Sequence, residues 1–197
     1  MLEGLLQSAA PVSAGIRAAG NDQGDRVETY LNISARHVVA SRLGAGLYAE
    51  PTIAGILADP ASVETAALVL VFGSGQASMD LCATALLRWN EILPPGDAEY
   101  DAGNLRTKIK KGLIGLSPPQ RAWFDQVVDS PRGKQFGKFR AASIHRLVRQ
   151  DVTVGGSRRQ TISHVPGIAG DKEAAELLDD HASFVEERWR EFWNVFL

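Results

Sequence analysis

The chain has 197 residues, 45% of them hydrophobic and 22% charged, with a net charge of −2 and one cysteine. That is the size and composition of one soluble domain built on a single core, with no disulfide framework; its longest apolar run, residues 66–72, is far short of the roughly 20 residues that cross a bilayer. Met1-Leu2-Glu3 lacks the basic start of a secretory leader and Cys82 stands alone in an apolar pattern, so a reducing, cytoplasmic location is expected.

Residues 1–24 read as a weakly helical N-terminal extension, interrupted by Pro11 and closed by Gly20, and residues 25–197 as a single bundle domain. Asp25 offers an N-cap for a helix on which Val27, Leu31, Ser34, Val38 and Arg42 recur at helical steps until Gly44 and Gly46. His37 lies beside that stripe. A short helix is expected over 51–57, closed by Asp59-Pro60. Ser62 then opens a long helix reaching about Ile92, apolar almost all round and therefore suited to the middle of a bundle. Gly73-Ser74-Gly75 falls inside it, where small side chains permit close helix approach. The alternative is a loop between a strand and a helix, although GSG is too short for a phosphate loop.

Beyond Pro94-Pro95-Gly96 the charge changes. Residues 104–160 hold thirteen Lys and Arg against only Asp125, Asp129 and Asp151, leaving the rest of the chain acidic. Such a block either forms a positive surface for an anion such as nucleic acid or is neutralised internally by the acidic last helix; both remain open. Within it, residues 105–116 read as a short basic helix carrying Lys108, Lys110 and Lys111. Ser117-Pro118-Pro119-Gln120 starts a helix bearing Trp123, Phe124, Val127 and Val128. Residues 131–150 read as a basic amphipathic helix, with Phe136, Phe139, Ser143 and Leu147 inward and Lys138, Arg146 and Arg149 solvated. Val152, Val154, Thr161, Ile162 and Val165 flank Gly155-Gly156-Ser157, the pattern of a small β-hairpin. Asp171 is the expected cap of the last helix. Its stripe of Ala174, Leu178, His181, Val185, Trp189, Phe192 and Phe196 suits the protein's own bundle or a dimer seam.

Arg140 is followed, after four residues, by His145. On a helix that step turns through about 140° and rises about 7.5 Å, so the two are not stacked but can converge on one ligand from the side of a groove. The spacing alone is common: Arg159 and His164 repeat it in the expected hairpin, where residues five apart face opposite ways. Arg140 has a structural alternative in pairing with Asp179 or Asp180 of the last helix. His37, His145 and His181 fall on three different helices, but no two histidines stand at i, i+3 or i+4, so neither a metal nor another cofactor is expected.

The string Arg140-Ala141-Ala142-Ser143-Ile144-His145-Arg146, in a helix that follows a long apolar helix, resembles the HEPN superfamily of small helical bundles, whose signature is an arginine and a histidine separated by four to six residues. The resemblance implies a mainly α, HEPN-like up-and-down bundle with the hairpin before the last helix. It further implies a homodimer that cleaves RNA without metal across a shared cleft, under the control of an antitoxin or sensor protein. His145 would exchange protons with the 2′-hydroxyl and the leaving oxygen, and Arg140 would bind the scissile phosphate. Lys138, Arg146, Arg149, Lys108, Lys110 and Lys111 would position the RNA backbone. The sequence departs from the pattern at Ala141, where a polar residue is common, and Leu147 stands where adenylylated members carry tyrosine. A catalytically silent binding or sensing module and a helical scaffold are the competing readings.

Overall fold

The structure is a computed structural model that describes residues 4, 7, 10, 14–16, 22–49, 60–90, 102–112, 114–145, 148–154, 157–163 and 172–195; for residues 22–25, 60–64, 102–105, 140–145, 148–154, 157–163 and 172 it describes the backbone alone. The described residues are mainly helical. Helix α1 (Asp22–Ala49) is followed by α2 (Pro60–Val69), a π-helical segment (Leu70–Ser74), α3 (Gly75–Trp89), α4 (Ala102–Lys110), α5 (Pro118–Val128), α6 (Pro131–His145) and α7 (Ala174–Phe192). Between α6 and α7, β1 (Val148–Val154) runs antiparallel to β2 (Ser157–Ser163), and β3 (Lys172–Glu173) lies along β2. The helix expected over 51–57 lies outside the described residues.

The stripe on α1 forms one wall of the core: Val27, Leu31, Ser34 and Val38 are all buried. The helix does not stop at its glycines but runs on to Ala49. A Cβ on Gly44 would lie 2.8 Å from the Ala67 carbonyl oxygen and 2.8 Å from Leu70 Cβ, so this glycine serves a helix crossing and not a terminus.

Residues 60–89 form one continuous rod. The GSG loop alternative is excluded, since Ser74 (φ −68°, ψ −38°) and Gly75 (φ −58°, ψ −46°) are both helical. The π segment inserts an extra residue into the turn, and Val71 and Phe72 are both buried there. Ser41 on α1 donates its hydroxyl to the Val71 carbonyl at 3.2 Å, a second donor on an oxygen that the Gly75 amide also reaches. The rod is not apolar all round: Val69 is 64% exposed, and Gly73 is exposed too. By length and composition Thr65–Trp89 could cross a membrane, but half of its apolar window is buried inside the bundle.

Helix α5 starts where expected, with prolines in its first turn, and Ser117 and Gln120 close a capping box there. Helix α7 begins at Ala174 with Glu173 as N-cap; Asp171, the expected cap, lies outside the described residues. Its stripe packs in cis: Ala174, Leu178, His181, Val185, Trp189 and Phe192 are buried within the single chain. Trp189 donates to Ser34 Oγ at 2.6 Å, and Ser34 Oγ lies 3.3 Å from Cys82 Sγ, so the polar atoms at this crossing satisfy each other. Burial pushes the Cys82 thiol up to about 12, so it is inert packing.

Candidate nucleic-acid interface

Helix α6 carries the sequence motif, and its first half explains how it is held. Ser130 Oγ accepts from the Gly133 amide at 3.0 Å, closing the first turn. A Cβ on Gly133 would lie 2.1 Å from the Val127 carbonyl oxygen, so α6 starts hard against the end of α5. One turn on, Phe136 and Phe139 are buried at 4% and 0% exposure. Phe139 stacks on Phe72 of the π segment, with centroids 5.7 Å apart and planes at 12°.

His181 of α7 fills the space between these rings. It stacks on Phe136 at 5.0 Å and meets the edges of Phe72 at 4.9 Å and Phe139 at 5.1 Å. Its Nδ1 lies 3.0 Å from the Leu177 carbonyl, which makes Nδ1 the protonated nitrogen, while Nε2 is buried without a hydrogen-bond partner. Burial pushes the imidazole down to about 4; the Leu177 bond and Asp180 oppose that, and Arg132 adds to it. His181 is therefore a neutral aromatic spacer at ordinary pH, not an acid–base group. The surface beside it, lined by Arg132, Gln135, Phe136, Asp180 and Phe184, is a shallow depression too tight for a water molecule.

Ion pairs fasten the outer edge. Arg132 donates to Asp180 at 2.7 Å and to Glu187 at 2.8 Å, and its guanidinium lies 5.3 Å from the Phe184 ring centroid. Asp179 pairs with Arg42 of α1 at 2.7 Å, and Glu186 takes the same guanidinium at 3.0 Å. The acidic last helix thus does neutralise part of the basic block, and both aspartates considered for Arg140 bind other arginines.

The basic block also converges on itself. Asp129, the C-cap of α5, accepts from Arg106 Nε at 3.2 Å, and the Arg106 fork closes on its second oxygen. Lys110 Nζ stands 3.3 Å and Lys134 Nζ 3.8 Å from the same carboxylate. Desolvation works to raise the Asp129 pKa, but the hydrogen bonds and charges of Arg106 and Lys110 outweigh it and hold the carboxyl below its ordinary value.

Of the residues singled out from sequence, Lys110 joins this cluster, Lys111 is exposed in the turn after α4, and Lys108 is half-buried on α4. Lys138 is exposed on α6, one turn beyond Lys134. Arg140 and His145 both belong to α6, which is helical through His145, while their side chains lie outside the described residues. Arg146 lies outside them altogether. The helix expected to run through residue 150 and carry Arg149 ends instead at His145, and Arg149 belongs to β1, where the run toward Val152 and Val154 favours extended backbone. Arg106 and Lys134 escaped the sequence reading, although each stands four residues before a lysine that did not. Among the described residues no group of three metal-ligating side chains comes together. Comparisons with protein families, with curated proteins and with solved structures find no match for this chain.

Proposed function

We propose that the chain is an RNA-binding, HEPN-like helical bundle in which Arg140 and His145 form a metal-independent cleaving pair. One observation carries the reading: an unbroken helix, Pro131–His145, buries phenylalanines along one side and keeps Lys134 and Lys138 in solvent, with both motif residues in its last two turns. A helix so fixed presents cations in a constant register to a polyanion. The HEPN-type arrangement of helices, the hairpin as its insertion before the last helix, and a homodimer with two facing motif helices belong to this proposal.

The chemistry is a transesterification. The His145 imidazole takes the proton of the 2′-hydroxyl, the 2′-oxygen attacks the adjacent phosphorus, and the bond from phosphorus to the 5′-oxygen breaks. A protonated imidazole, its own or the partner protomer's, returns a proton to that oxygen, leaving a 2′,3′-cyclic phosphate and a 5′-hydroxyl. Arg140 holds the non-bridging oxygens, whose charge grows in the transition state.

The test is cleavage of unstructured and structured RNA by purified protein in chelator. Arg140→Ala and His145→Ala should each lower the rate by about 10²-fold or more, the usual contribution of such groups, with melting temperatures unchanged. Cleavage that survives both substitutions overturns the assignment. Binding that weakens steeply with salt, without cleavage in any substrate, leaves a silent RNA-binding module, and absence of both leaves a scaffold.

A further inference from the structure

Three cations on one carboxylate is an unbalanced arrangement. Arg106 and Lys110 come from α4, Lys134 comes from α6, and among the described residues all three meet on one carboxylate, Asp129 at the end of α5. The cations are 38%, 51% and 55% exposed, whereas Asp129 is 23% exposed, so among the described residues of this cluster the charge that reaches solvent is positive. Arg106 spends its fork on the carboxylate. Lys110, at 3.3 Å, and Lys134, at 3.8 Å, each approach one carboxylate oxygen and keep further ammonium protons to offer. Two ammonium groups beside a guanidinium edge suit the tetrahedral, multiply accepting oxygens of a phosphate.

We infer that Arg106, Lys110 and Lys134 form a phosphate-binding subsite for the RNA strand, remote from the cleaving pair, with Asp129 as its internal stand-in for phosphate. The inference rests on the RNA reading proposed above and adds a second anchor to it. Lys134 and His145 are eleven residues apart on one continuous helix, about 16 Å along its axis. Lys138 lies between them, exposed. A strand seated at Asp129 and followed along α6 thus reaches the motif a few nucleotides later, and substrates shorter than that span lose the anchor. The subsite holds backbone only, so it contributes affinity and register without sequence preference. When no strand is bound, Asp129 keeps the three side chains gathered. A phosphodiester replaces it by drawing the two lysines away.

The experiment is fluorescence anisotropy with labelled RNA of about 12 nucleotides, within the span of single-strand sites, over a salt series. Wild type is compared with the triple variant Arg106→Ala/Lys110→Ala/Lys134→Ala, with Asp129→Asn, and with Arg26→Ala/Arg36→Ala/Arg190→Ala as a charge-matched control on α1 and α7, outside the cluster. The triple variant should bind about tenfold more weakly, and the slope of log K against log salt should flatten by about 0.7 for the lost phosphate contact. Asp129→Asn should bind several-fold more tightly, an effect that a misfolded variant does not produce. The control should match wild type. Wild-type affinity in the triple variant, an equal loss in the control, weaker binding in Asp129→Asn, or displacement of RNA by polyglutamate as readily as by unlabelled RNA would overturn the subsite. The two proposals fail separately: binding that needs the cluster but yields no cleavage removes the nuclease and keeps the subsite. Cleavage that needs Arg140 and His145, in a triple variant of unchanged affinity and unchanged dependence on substrate length, removes the subsite alone.

Discussion

The two sides of α6 obey different physics. Its inner side, Gly133, Phe136 and Phe139, is fixed by shape: the helix meets the Val127 carbonyl, the Phe72 ring and the His181 imidazole at van der Waals distance. Its outer side, Lys134 and Lys138, is fixed by little except charge: the Lys134 ammonium approaches Asp129 at 3.8 Å. Packing of the first kind decides whether the helix is there at all, and charge of the second kind decides what approaches it. Substitutions on the two sides should therefore separate stability from binding.

The largest effect is expected inside. Phe139→Ala removes a fully buried ring that stacks on Phe72 and edges His181, and should cost about 3–5 kcal/mol in urea unfolding. A loss under about 1 kcal/mol would mean that α6 is not anchored by this ring.

Next comes His181. Its folded pKa is about 4 against an ordinary 6.5, so between those values the unfolded chain binds a proton that the folded one refuses. The contribution is complete above pH 6.5, declines by about 1.4 kcal/mol per unit as pH falls, and reaches a loss of about 3 kcal/mol near pH 4. Burial also lowers the His37 pKa, which adds a slope of the same sign. Urea melts of wild type and His181→Leu at stepped pH separate the two, since the variant should keep the slopes of His37 and of the paired carboxylates Asp129 and Glu186 and lose only that of His181. Parallel curves would show that His181 does not titrate in this window.

Much of the bundle was legible because hydrophobic period reports which side of a helix is buried. Val27, Leu31 and Val38 on α1, and Leu178, Val185 and Trp189 on α7, are buried in the structure as their spacing indicates. What period does not report is why a small residue is small. Gly44 looks like a stop signal in sequence and is a crossing point in space, because the atoms that require it, at Ala67 and Leu70, are more than twenty residues away. Charge carries the same limitation. The excess over residues 104–160 is plain in sequence, but its division between Arg132, tied to Asp180 and Glu187, and the Asp129 cluster depends on which helices meet. Arg140 and His145 are legible as a motif and as residues of one helix, and no further, since their partners are set by tertiary placement.

Gly44 supplies the intermediate effect. Gly44→Ala forces a methyl group to within 2.8 Å of a backbone oxygen that cannot swing aside, and should cost about 1–3 kcal/mol despite the better helix propensity of alanine. Gly46 in the same helix has nothing within 4 Å of its Cβ position, so Gly46→Ala should instead hold or raise stability by up to about 1 kcal/mol. Thermal melts of the pair give the contrast directly. Equal effects would mean that α1 and α2 do not cross as closely as described.

The smallest stability effect, and the most informative for function, belongs to Lys138. It is exposed on the outer side of α6, between Lys134 and the motif, so Lys138→Ala should shift unfolding by no more than about 0.5 kcal/mol. Its effect should appear only with ligand. One phosphate contact fewer lowers RNA affinity at low salt, flattens the salt slope by about 0.7, and leaves little difference once salt has screened the backbone. An affinity loss that persists undiminished at high salt would instead indicate a change in the helix itself, and the separation between the two sides of α6 would not hold.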